Sequence, residues 1–379
     1  MLRKLSAIGL VGLASYSTTV SAFDFDPSTF SFNGFGTLGA VYSSEDQATF
    51  TGPGFKIRGA GYGDKISTDV DTRLGVQAIA KFTDKLTATV QLVGEQNIHG
   101  NYQPTVEWAN LKYAITPDLN VRVGRTAMPS YLFSDTRKVG YAIPWVRAPY
   151  EVYDLLPITN SDGIDVSYKI RSGGVTSTLQ AIYGENIADL GFVKGKAKNV
   201  WGLFNTVEIN ALTLKVAYQE QDLYFGSYKL PNMWQTEPTA VEFMTLGAHY
   251  DPGTWFAGAE WASRNMEGGF VDAGKTNAWY VTGGRRMGDV TPYFIVANQK
   301  PEKVVPPNAS TEQTSYSLGA RWDFMRSFNL KAEYQYIDLP KGSAGLLKVP
   351  MDPFTFMPIS NFEPGGEVNL VSVQINFVF

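Results

Sequence analysis

The sequence contains no cysteine and only two histidines, His99 and His249. Without cysteine, disulfide bonds, thiolate catalysis and cysteine-ligated metal sites are all excluded. Neither histidine has a second histidine or a carboxylate at a spacing that would build a metal site or a serine–histidine–acid relay. We therefore expect no bound metal, no cofactor and no catalytic residues.

Excess positive charge and long hydrophobic runs are also missing. The 379 residues carry a net charge of −4, with a pI near 5.4, whereas nucleic-acid binding requires a basic footprint. Beyond residue 22, no stretch reaches the roughly 18 apolar residues of a transmembrane helix. We expect no nucleic-acid partner, and any crossing of a membrane must be made by strands.

The N-terminus has the three parts of a secretory signal peptide. Arg3 and Lys4 precede the apolar run LSAIGLVGLA at 5–14, and the small residues Ser21 and Ala22 precede Phe23. This order is typical of a cleaved export signal. We predict a signal peptide over 1–22 and a mature domain over 23–379.

Apolar and polar residues alternate in many segments of the chain, and most clearly in the final one, NLVSVQINFVF (369–379). There every second residue from Val371 to Phe379 is apolar, whereas Ser372, Gln374 and Asn376 are polar. A period of two places alternate side chains on opposite faces of a sheet. Such strands suit a wall with lipid on one side and water on the other.

Short turns alternate with long polar connections along the sequence. Counting the segments between them predicts about sixteen strands, near 29–42, 69–82, 86–96, 104–115, 119–126, 162–171, 175–185, 199–209, 212–222, 238–250, 255–264, 275–287, 290–300, 312–325, 328–338 and 367–379. The predicted fold class is all-β: a transmembrane antiparallel β-barrel with short periplasmic turns and long extracellular loops. An even strand number places both termini on the periplasmic side.

The segment Gly34-Phe35-Gly36-Thr37-Leu38-Gly39 matches a dinucleotide-binding fingerprint. That fingerprint works only between a strand and a helix, and here it falls inside the predicted first strand. We interpret its glycines as allowing curvature or close contact within a barrel wall.

Three segments together resemble the Gram-negative porin family: the last strand VSVQINFVF, the first strand FSFNGFGTLGAVY (30–42) and VRVGR (121–125). The resemblance implies a sixteen-stranded, homotrimeric porin in the lipopolysaccharide-containing outer membrane, passing small hydrophilic solutes and ions. It also implies that the barrel-assembly machinery reads the terminal strand, which gives Phe377 and Phe379 a role as an assembly signal.

By the same resemblance, the long segment 127–161 is the third extracellular loop, which folds into the barrel and narrows the pore. Its acids Glu151 and Asp154 would face basic residues Arg73, Lys112 and Arg122 of the early strands. The family's Pro-Glu-Phe-Gly-Gly run is replaced here by Pro149-Tyr150-Glu151-Val152-Tyr153. The predicted pore-lining and constriction residues are Arg73, Lys112, Arg122, Arg147, Glu151, Asp154, Arg321 and Lys331.

Outward placement of the aliphatic residues leaves nine basic and six acidic side chains on the predicted inner wall. The bases are Arg73, Lys112, Arg122, Lys169, Arg171, Lys215, Arg286, Arg321 and Lys331, and the acids are Asp71, Glu95, Asp165, Glu260, Asp323 and Glu333. Charged rings on a pore wall select ions, so we predict a weak anion preference.

Two alternatives remain open at this point. Six aromatic rings could line the path of a substrate-selective porin for a sugar or an organic or aromatic acid. They belong to Tyr131, Phe133, Tyr141, Trp145, Tyr150 and Tyr153. A barrel enzyme or surface-interaction protein with a plugged lumen would instead carry no current.

Overall fold

The computed structural model describes residues 29–156, 158–191, 193–226, 237–269, 271–303, 310–350 and 358–379. The predicted signal peptide, 1–22, lies outside these ranges. Within them, sixteen long strands follow one another: β1 (Phe30–Ser43), β2 (Arg73–Lys81), β3 (Leu86–Glu95), β4 (Thr105–Ala114), β5 (Leu119–Ala127), β6 (Asn160–Ser172), β7 (Val175–Asp189), β8 (Lys194–Ile209), β9 (Leu212–Gly226), β10 (Thr239–Tyr250), β11 (Trp255–Glu267), β12 (Gly274–Arg285), β13 (Val290–Pro301), β14 (Gln313–Met325), β15 (Phe328–Leu339) and β16 (Gly366–Val378).

Each long strand pairs antiparallel with the strands before and after it in the chain. The ring closes because β1 pairs with β2 on one side and with β16 on the other. Hydrocarbon offers no partner to an exposed backbone edge, and closure removes both edges. The prediction of an all-β antiparallel barrel of about sixteen strands is confirmed.

The alternating pattern fixes which side chains face out and which face in. On β16, Val371, Val373 and Ile375 are exposed on the outer wall, whereas Ser372 and Gln374 are buried inside the barrel. A slip of one residue in the pairing would exchange the two faces. The sequence pattern therefore specifies the register as well as the strand.

Short turns join the strands at one end of the barrel. The start of β1 and the end of β16 lie at this same end. In the turn between β6 and β7, Gly173 and Gly174 have φ angles of 56° and 83°. Two consecutive residues with positive φ match the hairpin turn whose twist suits paired strands, and glycine adopts them without a steric penalty.

Longer connections lie at the opposite end, and one of them differs from the prediction. The sequence predicted a loop over 186–198, but β7 and β8 extend as a hairpin and leave only 190–193 between them. Lys196 pairs with Glu185 across this hairpin at 3.2 Å. The charged residues Lys194, Lys196 and Lys198, which the prediction placed in a loop, are therefore strand residues.

The connection between β5 and β6 contains a 3-10 turn, Gly140–Ala142, and a short α-helix, α1 (Tyr150–Tyr153). In the described ranges, no helix is both long and apolar enough to cross a membrane.

Candidate functional site

The connection from β5 to β6 lies inside the barrel in its described residues, 128–156 and 158–159, here called the inner segment. Their buried apolar side chains, among them Trp145, Val152 and Leu155, form one core with inward side chains of the wall such as Phe243 and Tyr280. The wall residues of this core come from β7 to β13. Apolar contacts therefore fill that side of the lumen, which leaves space for water on the other side.

Two basic residues of the wall hold the backbone of the inner segment. The ammonium group of Lys331 donates to the carbonyl oxygens of Gly140, Ile143 and Trp145 at 2.6, 2.7 and 2.5 Å, and the Lys331 side chain is 0% exposed. Arg321 donates to the Tyr141 carbonyl oxygen at 2.7 Å. Both side chains satisfy carbonyl groups that would otherwise be buried without partners.

Arg147 of the inner segment is fixed to the wall by charge. Its Nη2 lies 2.7 Å from Asp71 Oδ2 and 2.8 Å from Ser372 Oγ. Burial acts to raise the pKa of Asp71, but the charge and hydrogen bond of Arg147, together with the charges of Arg73 and Lys56, outweigh it and lower the pKa to about 2. The pair is ionised at neutral pH, because each buried charge has its counter-ion.

A cavity of about 470 Å³ remains between the inner segment and the wall from β16 through β1 to β7. Its charged lining residues are Lys56, Arg73, Glu95, Glu107, Arg125, Arg137, Lys138, Arg147 and Asp189, together with His99. Six of these are basic and three are acidic. The lining therefore carries an excess of basic over acidic side chains.

One ion-pair cluster joins the two sides of this cavity. Lys138 Nζ, from the inner segment, lies 2.7 Å from Glu95 Oε1 of β3 and also bonds to Glu107 of β4. Arg73 and Lys56 lie 3.9 and 3.8 Å from Glu95. Burial lowers the pKa of Lys56 to about 8.

The structure brings only two of the eight predicted site residues, Arg73 and Arg147, to the cavity lining. Lys112 and Arg122 are register partners on β4 and β5, and Arg122 is bound to Asp165 at 2.6 Å. Arg321 and Lys331 are anchors for the inner segment rather than open lining.

The two predicted acids do not face the predicted bases. Glu151 is fully buried on α1 and accepts a hydrogen bond from Gln313 of β14 at 2.7 Å. Asp154, at the end of α1, accepts one from the Gly54 amide at 2.9 Å. Burial raises the pKa of Asp154 to about 6. The turn of α1 directs both carboxylates into packed contacts, which a sequence read as an extended loop does not reveal.

Several charged lining residues escaped the sequence prediction of the site, notably Lys56, Glu107 and Lys138. Glu107 turns inward because the register of β3 and β4 shifts beside it, between Gln91 and Leu92. A strict period of two places Glu107 on the lipid side. In the part of the chain that the structure describes, no group of three or more His, Asp or Glu could hold a metal ion.

The aromatic rings of the inner segment mostly fill the core instead of lining a path. Tyr131, Trp145, Tyr150 and Tyr153 are all buried, and Tyr131 stacks on Tyr153 with ring centroids 4.5 Å apart. Of these four, Tyr153 alone also lines the cavity. A path walled by stacked rings is therefore not what this geometry provides.

The predicted assembly residues lie at the barrel's closing seam. Phe379 and Gly34 exchange two backbone hydrogen bonds of 3.0 and 2.9 Å. The ring of Phe379 lies over Gly34 and that of Phe377 over Gly36, where a Cβ would overlap them. Both ends of the wall thus meet in one interlocked contact.

Solved structures with the same fold are porins of low sequence identity. An anion-selective porin from Comamonas acidovorans aligns with a TM-score of 0.57 and 15% identity over 92% of this chain and 99% of its own. Salmonella typhi OmpF aligns with a TM-score of 0.55 and 16% identity over 92% of this chain and 97% of its own. The trimer form of Vibrio cholerae OmpT aligns with a TM-score of 0.54 and 14% identity over 93% of this chain and 100% of its own. No curated protein matches the sequence.

A family model agrees with this fold at the level of sequence. The model described as Gram-negative porin matches residues 7–342, which is most of the chain. Together with a closed sixteen-stranded barrel and a charged cavity beside an inward-folded segment, this match shows that the chain belongs to the Gram-negative porins, the channel-forming barrels of the outer membrane.

Proposed function

We propose that this porin lets small hydrophilic solutes and ions diffuse passively across the outer membrane with a weak preference for anions. The observation that carries the proposal is the lining of the 470 Å³ cavity, where six basic side chains outnumber three acidic ones. A charged wall raises the local concentration of ions of opposite sign. The Comamonas acidovorans porin of the same fold is anion-selective, which supports the same sign of preference.

The inner segment forms the constriction in this proposal. Its core with β7 to β13 occupies one side of the lumen, so solutes pass along the β16-to-β7 side, past Arg73 and Arg147. Packing against the wall and the carbonyl contacts of Lys331 keep the segment in place. A fixed constriction favours size-limited diffusion over tight binding of one substrate.

The partners in this proposal are the lipopolysaccharide-containing bilayer, the barrel-assembly machinery and two further copies of the chain. The trimer form of Vibrio cholerae OmpT supports a homotrimer. Exposure of Leu38, Leu74 and Val123 on the outer wall supports contact with lipid or with a neighbouring barrel. The seam at Phe379 supports its role as the signal that the assembly machinery reads.

Planar-bilayer recording tests the proposed function directly. Purified protein is expected to give stepwise, ohmic currents, with a reversal potential on the anion side in a gradient of dilute KCl. The preference should fade at high salt, because the Debye length falls from about 10 Å at 0.1 M to about 3 Å at 1 M. Absence of current, or a cation preference at low salt, would overturn the proposal.

A further inference from the structure

The ion pairs of Lys138 lie across the passage rather than along its wall. Lys138 belongs to the inner segment, whereas Glu95 and Glu107 belong to β3 and β4, and all three residues line the cavity. A solute that moves between the segment and the wall therefore meets this contact. We call Lys138, Glu95 and Glu107 the crossbar.

Cations outnumber carboxylates around the crossbar. Glu95 has Lys138 at 2.7 Å, Lys56 at 3.8 Å and Arg73 at 3.9 Å. Glu107 is bonded to the same Lys138, so two acids face three bases. The surplus positive charge attracts a further anionic group to this cluster.

The crossbar also differs from the anchors in its access to water. The side chains of Lys138, Glu95 and Glu107 are 20, 19 and 11% exposed, whereas Lys331 is fully buried against three carbonyl groups. Replacing one partner of an ion pair costs less where the pair has some access to water than where it is fully buried. The carbonyl contacts of Lys331 therefore hold the inner segment firmly, whereas the ion pairs of Lys138 can exchange one partner for another.

We infer that Lys138, Glu95 and Glu107 form a movable charged bar that an anionic solute opens by replacing one carboxylate on the Lys138 ammonium group. The inference rests on the proposed function, and it names the site at which a carboxylate- or phosphate-bearing solute is bound during passage. No covalent bond changes, since one ion pair exchanges for another. Lys138 then determines both how open the passage is and which sign of ion it favours.

Three substitutions separate charge from obstruction at this site. Lys138→Met keeps the chain length but cannot bridge the carboxylates, whereas Lys138→Arg keeps the charge and can bridge both. Glu107→Gln removes one acid at nearly constant size. Lys85→Met, in the exposed turn between β2 and β3, serves as the matched control for loss of a lysine.

Single-channel conductance and reversal potential in a dilute KCl gradient are the measurements. Lys138→Met should raise the conductance and lower the anion-to-cation permeability ratio by about tenfold, because one charge at about 6 Å in water changes the local concentration of anions and of cations by about threefold each, in opposite directions. Glu107→Gln should raise that ratio. Lys138→Arg should keep the sign of the ion preference, and Lys85→Met should match the wild type in both measurements.

Addition of a short dicarboxylate gives a second readout of the same site. It should reduce the KCl current in a saturable way in the wild type and in Lys138→Arg, and the effect should weaken in Lys138→Met. If Lys138→Met keeps wild-type conductance, ion selectivity and dicarboxylate response, the inference is wrong while the proposed function stands. A wild type without any current would instead refute the proposed function.

Discussion

At the scale of single residues, two glycines explain how the barrel is closed. Gly34 and Gly36 belong to the segment that matches a dinucleotide fingerprint, but their partners are the rings of Phe379 and Phe377. A ring packed over a cross-strand glycine pins the register of two strands. The glycines therefore serve the close contact expected of them, and the contact is within the chain.

Gly34→Ala tests this seam. The added methyl group overlaps the Phe379 ring, so the ring must turn away and the contact that pins the register of the two strands is lost. The yield of folded protein in the outer membrane should therefore fall. Gly94→Ala is the matched control, because a Cβ at that β3 position meets its nearest atom at 3.4 Å.

A second pair of variants separates the ring from the strand. Phe379→Ala should lower the yield more than Val373→Ala, which removes a lipid-facing side chain from the same strand. Asn376 is no neutral comparison, since it is fully buried and bonded to Thr37 at 2.7 Å and to Asn329 at 3.0 Å. For the first pair of variants, equal yields of Gly34→Ala and Gly94→Ala would contradict the special role given to the seam.

At the scale of elements, strands were far easier to predict than the path of the inner segment. A strand is encoded locally, because alternation within about ten residues states which face meets lipid. The barrel and its sixteen strands follow from that pattern and from the turns. The outward or inward side of Arg73 follows from it as well.

The site was harder to predict because its contacts join distant parts of the chain. Lys138 finds Glu95 and Glu107 only after the inner segment has folded back against the wall, and Glu107 faces inward only because of a shifted register. Glu151 leaves the passage because α1 turns it toward Gln313. None of these contacts has a signature within a short stretch of sequence.

Asp154 makes the packing of the inner segment sensitive to pH. Burial raises its pKa from 3.8 to about 6, so the folded state holds the proton more tightly than the unfolded chain does. Its contribution to stability is fully present below about pH 3.8 and is lost as the pH rises through about 6. At neutral pH the loss amounts to about 3 kcal/mol.

Asp154→Asn should therefore be more stable than the wild type at pH 8 and equally stable at pH 3.5. The amide keeps an acceptor for the Gly54 amide but cannot ionise. Thermal unfolding in detergent at both pH values measures the difference. Asp64→Asn, at an exposed position in the connection between β1 and β2, is the control. Its stability relative to the wild type should be the same at both pH values. A stability gain for Asp154→Asn that is the same at both pH values would contradict this origin.

At the scale of the whole molecule, closure joins the two ends of the wall into one seam. β1 and β16 are paired over nine residues, from Phe35 with Val378 to Ser43 with Leu370. Their contact satisfies backbone groups that hydrocarbon would leave without partners. Everything inside the barrel depends on this pairing, because the inner segment packs against walls that only closure holds together.

Because the sequence contains no cysteine, a disulfide can test this closure without background. Leu38 and Ile375 are register partners across the seam, so Leu38→Cys with Ile375→Cys should oxidise to an intramolecular disulfide in the membrane. The control pairs Leu38→Cys with Val371→Cys, four residues along β16. At about 3.4 Å per residue that offset is about 14 Å, beyond the roughly 7 Å that a disulfide spans between Cα atoms. A gel without reductant, run on denatured protein, distinguishes the linked chain by its altered mobility. Oxidation of the control pair to the same extent, or none in the first pair, would show that β1 and β16 do not meet in this register.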